Sequence, residues 1–249
     1  MEGQPVLQIA GTGANDSPTR PPQSLRSGPN EFVLILGGMG PKGAHAKAEE
    51  ALGMALAQAG SNIKANPKPD AILVIGLCGG LKSSLTQNRI VAYSDCLSTD
   101  PHQPPLQCSP AITNAIADLL LLRNVACERV IGITSPRIAV TKDDRLALAK
   151  VGGDVVDMES YPILSAAARA GIPPAVLRVV SDTPETQMPD FNRALNREGA
   201  LDRRKALWVA VGSPFQTVRL RRGNKRAMAH LTKALEITLP SNCFSATRT

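Results

Sequence analysis

The stretch GGDVVDMESYPILSAAARAGIPPAVLRVVSDT, residues 152–183, decides how the chain is built. A Gly152–Gly153 turn leads into Val155–Val156, which reads as the end of a buried strand. A helix is expected to start at Asp157–Glu159, with acidic residues in its first turn where the helix dipole favours them. Its apolar positions Ile163, Leu164, Ala167 and Ala168 recur at helical spacing, and Gly171 with Pro173–Pro174 ends it. Ala175–Val180 reads as a second buried strand, with Ser181–Asp182 just past its carboxyl end.

In a strand–helix–strand unit the two strands usually run parallel, so their carboxyl ends share one edge of the sheet. Glu159 and Asp182 are then expected to face one crevice, at the edge where open α/β sheets bind ligands. Arg178, four residues before Asp182, falls on the same face of a regular strand. The same spacing also fits a capping Glu159, a turn-starting Asp182 and a structural Arg178.

The residues carry a resemblance as well. VVDMES, then a helix, an apolar strand and SDT resemble the signature of the purine nucleoside phosphorylases and the methylthioadenosine/S-adenosylhomocysteine nucleosidases. The resemblance implies an α/β fold, a single domain with a central mixed β-sheet flanked by helices. It implies that Met158 and Glu159 bind the ribose. It further implies that Asp182 binds the purine and protonates it as the glycosidic bond breaks.

Composition sets the outer bounds. The chain has 249 residues, 43% of them hydrophobic, enough for one large α/β domain. Mean hydropathy is −0.06 and no apolar run reaches membrane-spanning length. No secretory signal is visible, so a cytoplasmic chain is expected. Five cysteines without CxxC spacing read as reduced thiols, and three unpaired histidines argue against a metal centre. The net charge of +7 fits an anionic partner, but 3% aromatics offer few stacking platforms for single-stranded nucleic acid, and no nucleic-acid partner is expected.

Along the chain, Val6–Ala10 reads as a short strand and the rest of residues 1–30 as a divergent, flexible segment. Residues 31–240 form the expected domain and 241–249 a frayed tail. Within the domain, strands are expected at Glu31–Leu36, Ala71–Ile75, Asn88–Tyr93 and Val130–Thr134. Helices are expected over His45–Ala59, Ser109–Leu122, Lys142–Lys150, Ala200–Val211 and Pro214–Ile237. Ser109 is placed as an N-cap ahead of Pro110. The polar excursion 184–199 reads either as a lid beside the site or as a solvated connector.

Two glycine-rich segments, GGMGPKG at 37–43 and GLCGGL at 76–81, match neither a Walker loop nor GxGxxG, and each fits a tight turn. They resemble the family's two small-residue segments and come in its order. The resemblance implies Met39 at the ribose and Cys78 and Gly79 at the base, with Gly38, Lys42 and Arg137 as candidate anion ligands. Phosphorolytic members hold phosphate with an Arg and a Ser where this chain has Val74 and Leu77, which tilts the reaction toward hydrolysis. Asp16 is the candidate base for activating water.

MPD, ALNREG and GSPFQTVRLRR within 184–237 resemble the hopanoid-biosynthesis-associated phosphorylase group. That implies release of adenine from adenosylhopane through an oxocarbenium-like transition state, with no cofactor and with homo-oligomeric assembly. A catalytically weakened nucleoside-binding protein of the same fold is the alternative. The basic run Arg219, Arg221, Arg222, Lys225 and Arg226 reads as a solvated face, or as attraction to an anionic membrane surface suited to a lipid-linked substrate.

Overall fold

A computed structural model describes residues 23–28, 30–34, 70–196 and 201–247. The expected strand Val6–Ala10, helix His45–Ala59 and glycine turn 37–43 lie outside the described residues, as do Asp16, Gly38, Met39 and Lys42. The core is a six-stranded mixed sheet. Its strands are β3 (Ile72–Gly80), β4 (Ile90–Ser98), β5 (Leu106–Gln107), β6 (Cys127–Thr134), β7 (Val155–Asp157) and β8 (Pro174–Asp182). They are ordered β5-β4-β6-β7-β3-β8, and β4 also pairs with β8, so five of them close into a ring.

Both faces of β8 and of the first half of β4 are buried, which is why they read as continuous apolar runs. Ala175, Leu177 and Val179 of β8 pack with Ile90 and Ala92 of β4 against two helices, α1 (Pro110–Leu122) and the long C-terminal helix Pro214–Thr238. Val176, Val180, Val91 and Tyr93 point the other way and meet Tyr161 and Leu164 of a short helix, Ser160–Arg169. Ser109 caps α1 as expected, accepting from the Ile112 amide at 3.5 Å. The helix Lys142–Val151 is α2, opened by a Thr141–Asp144 capping box, and Ser160–Arg169 is α3. Arg203–Gly212 is α4, and Pro214–Thr238 is α5. No helix among the described residues is long and apolar enough to cross a membrane.

Several expectations change. The strands flanking α3 are not a parallel pair: β8 runs parallel to β3, β7 runs antiparallel to it, and β3 lies between them. Asp157 ends β7 and Glu159 is the N-cap, so α3 starts at Ser160 with no acid in its first turn. Ser181 and Asp182 belong to β8, and GLCGG at 76–80 belongs to β3 instead of a loop.

Gln23–Ser27 (β1) pairs antiparallel with Asn30–Leu34 (β2), although composition pointed to a flexible segment. Its turn is tied down because Asn30 Nδ2 donates to the Leu239 and Ser241 carbonyls at 3.0 and 2.6 Å. The end of the chain is not frayed at its start either. Cys243 and Phe244 are buried against α1 and α5.

Tight packing inside the ring is visible at Gly132 on β6. A Cβ there would sit 1.9 Å from the Tyr93 ring, which is fully buried. Gly132→Ala is expected to lower stability by about 1–3 kcal/mol, as overpacking does, read as a lower urea midpoint at unchanged m-value.

Candidate active site

At the end of β8 the pairing slips. Val180 opposes Cys78 and Asp182 opposes the next residue, Gly79, so Ser181 is an extra residue on β8. Such a bulge breaks strict alternation and re-aims the side chains beyond it. Asp182 turns toward α2, whereas Arg178, before the bulge, turns toward β7. Gly79 leaves room for this, since a Cβ there would lie 3.1 Å from Asp182 Oδ2.

Asp182 is buried and both its oxygens are engaged. Arg145 Nη2 donates to Oδ2 and the Ser181 hydroxyl reaches Oδ1, each at 2.5 Å. Arg145, on α2, is only 2% exposed. Its other donors go to the Ala139 and Gly80 carbonyls at 3.1 Å, which fixes the guanidinium. An immobilised, desolvated cation beside a carboxylate is a preorganised electrostatic element, because nothing has to reorganise when charge develops.

A second ion-pair centre lies alongside. Arg178 Nε is 3.3 Å from Asp157 Oδ2, and Arg178 Nη2 is 3.4 Å from Glu159 Oε2. Asp157 Oδ2 accepts from the Tyr93 hydroxyl at 2.8 Å, and Oδ1 from the Thr134 hydroxyl at 2.9 Å. Oδ1 also accepts the Glu159 and Ser160 amides at 3.0 and 2.9 Å, so Asp157 caps α3 from the strand before it. Burial works to raise the Asp157 carboxyl. The Arg178 charge and hydrogen bonds from Ser160 and Tyr93 outweigh burial and hold it below the usual carboxylate range.

Asp182, Gly79, Met158 and Arg137 line one cavity of about 80 Å³ with Arg145 and Met188. Four residues singled out from the sequence thus meet. Glu159 adjoins the lining residues Asp157 and Met158 without lining the cavity itself. Cys78 departs from the expectation: its side chain packs in the apolar core, and burial pushes its thiol well above the ordinary value, leaving a neutral group. Val74 is also core, and Leu77 packs against the other apolar cluster, so neither offers an anion a contact.

Part of the excursion after Asp182 packs against the cavity lining. Met188 Sδ lies 3.5 Å from Arg145 Nη2, and Asn192 bonds both the amide and the carbonyl of the lining residue Ile138. Met188 thus contributes to the cavity wall. Sequence reading missed Arg145, because KDDRLALAK looks like a solvated helix, yet Arg145 is its one buried residue. It also missed Asp157 and Tyr93, whose partners lie on other strands.

The Asp157 environment fixes a pH dependence. A carboxyl held below its unfolded value of about 4 binds fewer protons folded than unfolded. Its contribution is full above about pH 4 and is lost as pH falls through the folded value. Thermal melts of the wild type should therefore fall on acidification below about pH 4. Asp157→Asn should start lower by about 3–5 kcal/mol, since it strips a buried Arg of its main partner, and should fall less over that range.

The sequence matches the profile of the phosphorylase superfamily over residues 26–207. No curated protein matches it by sequence. Among solved structures, the 5′-methylthioadenosine/S-adenosylhomocysteine nucleosidase of Neisseria meningitidis, in complex with methylthio-immucillin-A, is similar at a TM-score of 0.64. The identity is 15%, over 88% of this chain and 85% of that one. The corresponding nucleosidase of Helicobacter pylori gives a TM-score of 0.64 at 12% identity, over 88% and 83%. Futalosine hydrolase of Helicobacter pylori gives 0.61 at 12% identity, over 84% and 79%. The fold is that of these proteins, and the profile match over most of its length means that the chain belongs to the phosphorylase superfamily, a family of enzymes.

Proposed function

We propose that this enzyme cleaves the N-glycosidic bond of a purine nucleoside of the adenosyl type, with adenosylhopane as the specific substrate. The observation that carries the reading is Asp182, buried at the end of β8 and facing the same cavity as Met158. Asp182, protonated or sharing a proton with the bound base, passes that proton to N7 of the purine as the bond from the anomeric carbon to N9 breaks, and the base leaves neutral. The carboxylate left behind is stabilised by Arg145, a charge-assisted contact that strengthens as the proton departs. Arg145 touches Asp182 and acts through it, as a positioning residue. Ionised Glu159, oriented by Arg178, accepts hydrogen bonds from the ribose 2′- and 3′-hydroxyls and favours the cationic sugar.

Hydrolysis is favoured over phosphorolysis, because Val74 and Leu77 are packed in apolar clusters where an anion ligand would have to project. Arg137, exposed on the cavity rim, is the described cation nearest to serving an anion. Asp16 as the water-activating base, with Met39, Gly38 and Lys42 on the far side of the sugar, completes the proposal outside the described residues. Homo-oligomeric assembly and action on a lipid-linked substrate at a membrane surface belong to the same reading. A weakened nucleoside-binding protein is the second reading, and the same packing of Val74 and Leu77 favours it.

Adenine release from 5′-substituted adenosines, adenosylhopane included, with and without phosphate, tests these alternatives. Free ribosyl product without added phosphate is expected. Asp182→Asn should lower release by roughly 10²–10⁴-fold, the range of general acid catalysis, with nucleoside binding changed little. Glu159→Gln should raise KM and lower kcat together. Near-normal turnover in Asp182→Asn would remove the acid assignment, and binding without release in the wild type would leave the binding-protein reading.

A further inference from the structure

Five of the nine large hydrophobic residues exposed among the described residues fall between 207 and 218. They are Leu207, Trp208, Val211, Phe215 and Val218, at the corner where α4 meets α5. Phe215 is 90% exposed and Trp208, the only tryptophan of the chain, 75%. Aromatic residues are scarce here, and leaving two of them in water at one corner costs hydrophobic stabilisation unless something covers them.

The charge around this corner is one-sided. Residues 203–235 hold nine Lys+Arg and no Asp or Glu, whereas the rest of the chain carries 19 Lys+Arg against 21 Asp+Glu. The net charge of the protein therefore resides in this segment. Arg204, Lys205, Arg219, Arg221, Arg222 and Arg226 are all exposed. A groove of about 740 Å³ runs along α5, lined by Phe215, Val218, Arg219, Arg222 and Arg226 and reaching Ser181 and Thr186. Ser181 is the residue whose hydroxyl reaches Asp182.

We propose that the α4–α5 corner docks on an anionic lipid bilayer. The apolar side chains enter the boundary between headgroups and acyl chains, and the guanidiniums pair with lipid phosphates. Docking there turns the groove, and the edge of the Asp182 site, toward the membrane. This deepens the proposed action on a lipid-linked substrate and rests on that reading only for its purpose. The charge argues against the other occupants of such a face. A second copy in a two-fold contact would bring the same cationic patch against itself. A nucleic acid would match the charge but leave the aliphatic side chains without a role.

The test uses the full chain with vesicles of phosphatidylcholine alone and of a phosphatidylcholine–phosphatidylglycerol mixture. Co-flotation with the anionic vesicles only is expected, weakening as salt rises, and Trp208 emission should shift to the blue on binding. As the single tryptophan, it reports this corner alone. The combined variant Arg219→Gln, Arg221→Gln, Arg222→Gln should lower the partition coefficient roughly a hundredfold. Phe215→Ser should shrink the blue shift.

Binding is read equally well in Asp182→Asn, so loss of the catalytic reading leaves this measurement intact, and the converse holds for release from soluble nucleosides. No flotation together with unshifted Trp208 emission would overturn the proposal. So would a blue shift that grows with protein concentration in the absence of vesicles, accompanied by faster sedimentation, which would assign the face to a second copy. Tight binding of a DNA duplex without vesicle binding would assign it to nucleic acid.

Discussion

The contact between Arg178 and Asp157 is the one on which the rest of the structure depends. It joins the middle of β8 to the end of β7 across β3, with both side chains buried inside a ring of strands. Neither group could remain there alone. A buried pair of this kind adds little net stability over an apolar replacement, but losing one partner strands the other. Tyr93, Thr134 and two amides at the start of α3 consume the remaining capacity of Asp157, so the carboxylate fixes β4, β6, β7 and α3 relative to one another. Such a network specifies one arrangement of strands more than it deepens the free-energy well.

Function follows from the same strand. Arg178 precedes the bulge in β8 and Asp182 follows it, so one strand sends a cation toward Glu159 and a carboxylate toward Arg145. Each is held by an oppositely charged partner from another element: Glu159 at the start of α3, Arg145 from α2. The two halves of a glycosidic cleavage need different electrostatics. The sugar becomes cationic and the base accepts a proton. In the proposed mechanism, two ion pairs of opposite arrangement, a few residues apart on one strand, would supply both.

The surface shows a comparable division of labour. Apart from residues 203–235 the chain is nearly balanced in charge, and elsewhere among the described residues only four large apolar residues, all aliphatic, are exposed. The α4–α5 corner concentrates both cations and aromatic side chains next to the strand end that carries Asp182. A substrate with a large apolar 5′ group would be poorly soluble in water, and under the proposed docking a site edge facing the bilayer would shorten its path to the cavity.

Much of this was legible in the sequence where the signal is local. The strands around Val155, Ala175 and Val130, the Ser109 cap and the extent of α5 follow from apolar runs and end signals spaced within one element. VVDMES and SDT carried the resemblance that pointed to Met158, Glu159 and Asp182. What failed was nonlocal. The sense of β7 depends on which stretch of β3 it meets, and the bulge at Ser181 depends on the pairing partner. The burial of Arg145 depends on β8 lying opposite a helix that by composition belongs in water. β1 and the packed residues Cys243 and Phe244 were hidden for the same reason, since each is ordered by a contact far away in sequence. Sequence by itself determined the chemistry available, because side-chain type and local periodicity are properties of the chain. Only the tertiary structure decided which cation stands beside which carboxylate, because in a closed ring of strands that choice is made by partners on different elements far apart along the chain, from Arg178 and Glu159 (|i−j| = 19) to Arg145 and Asp182 (|i−j| = 37).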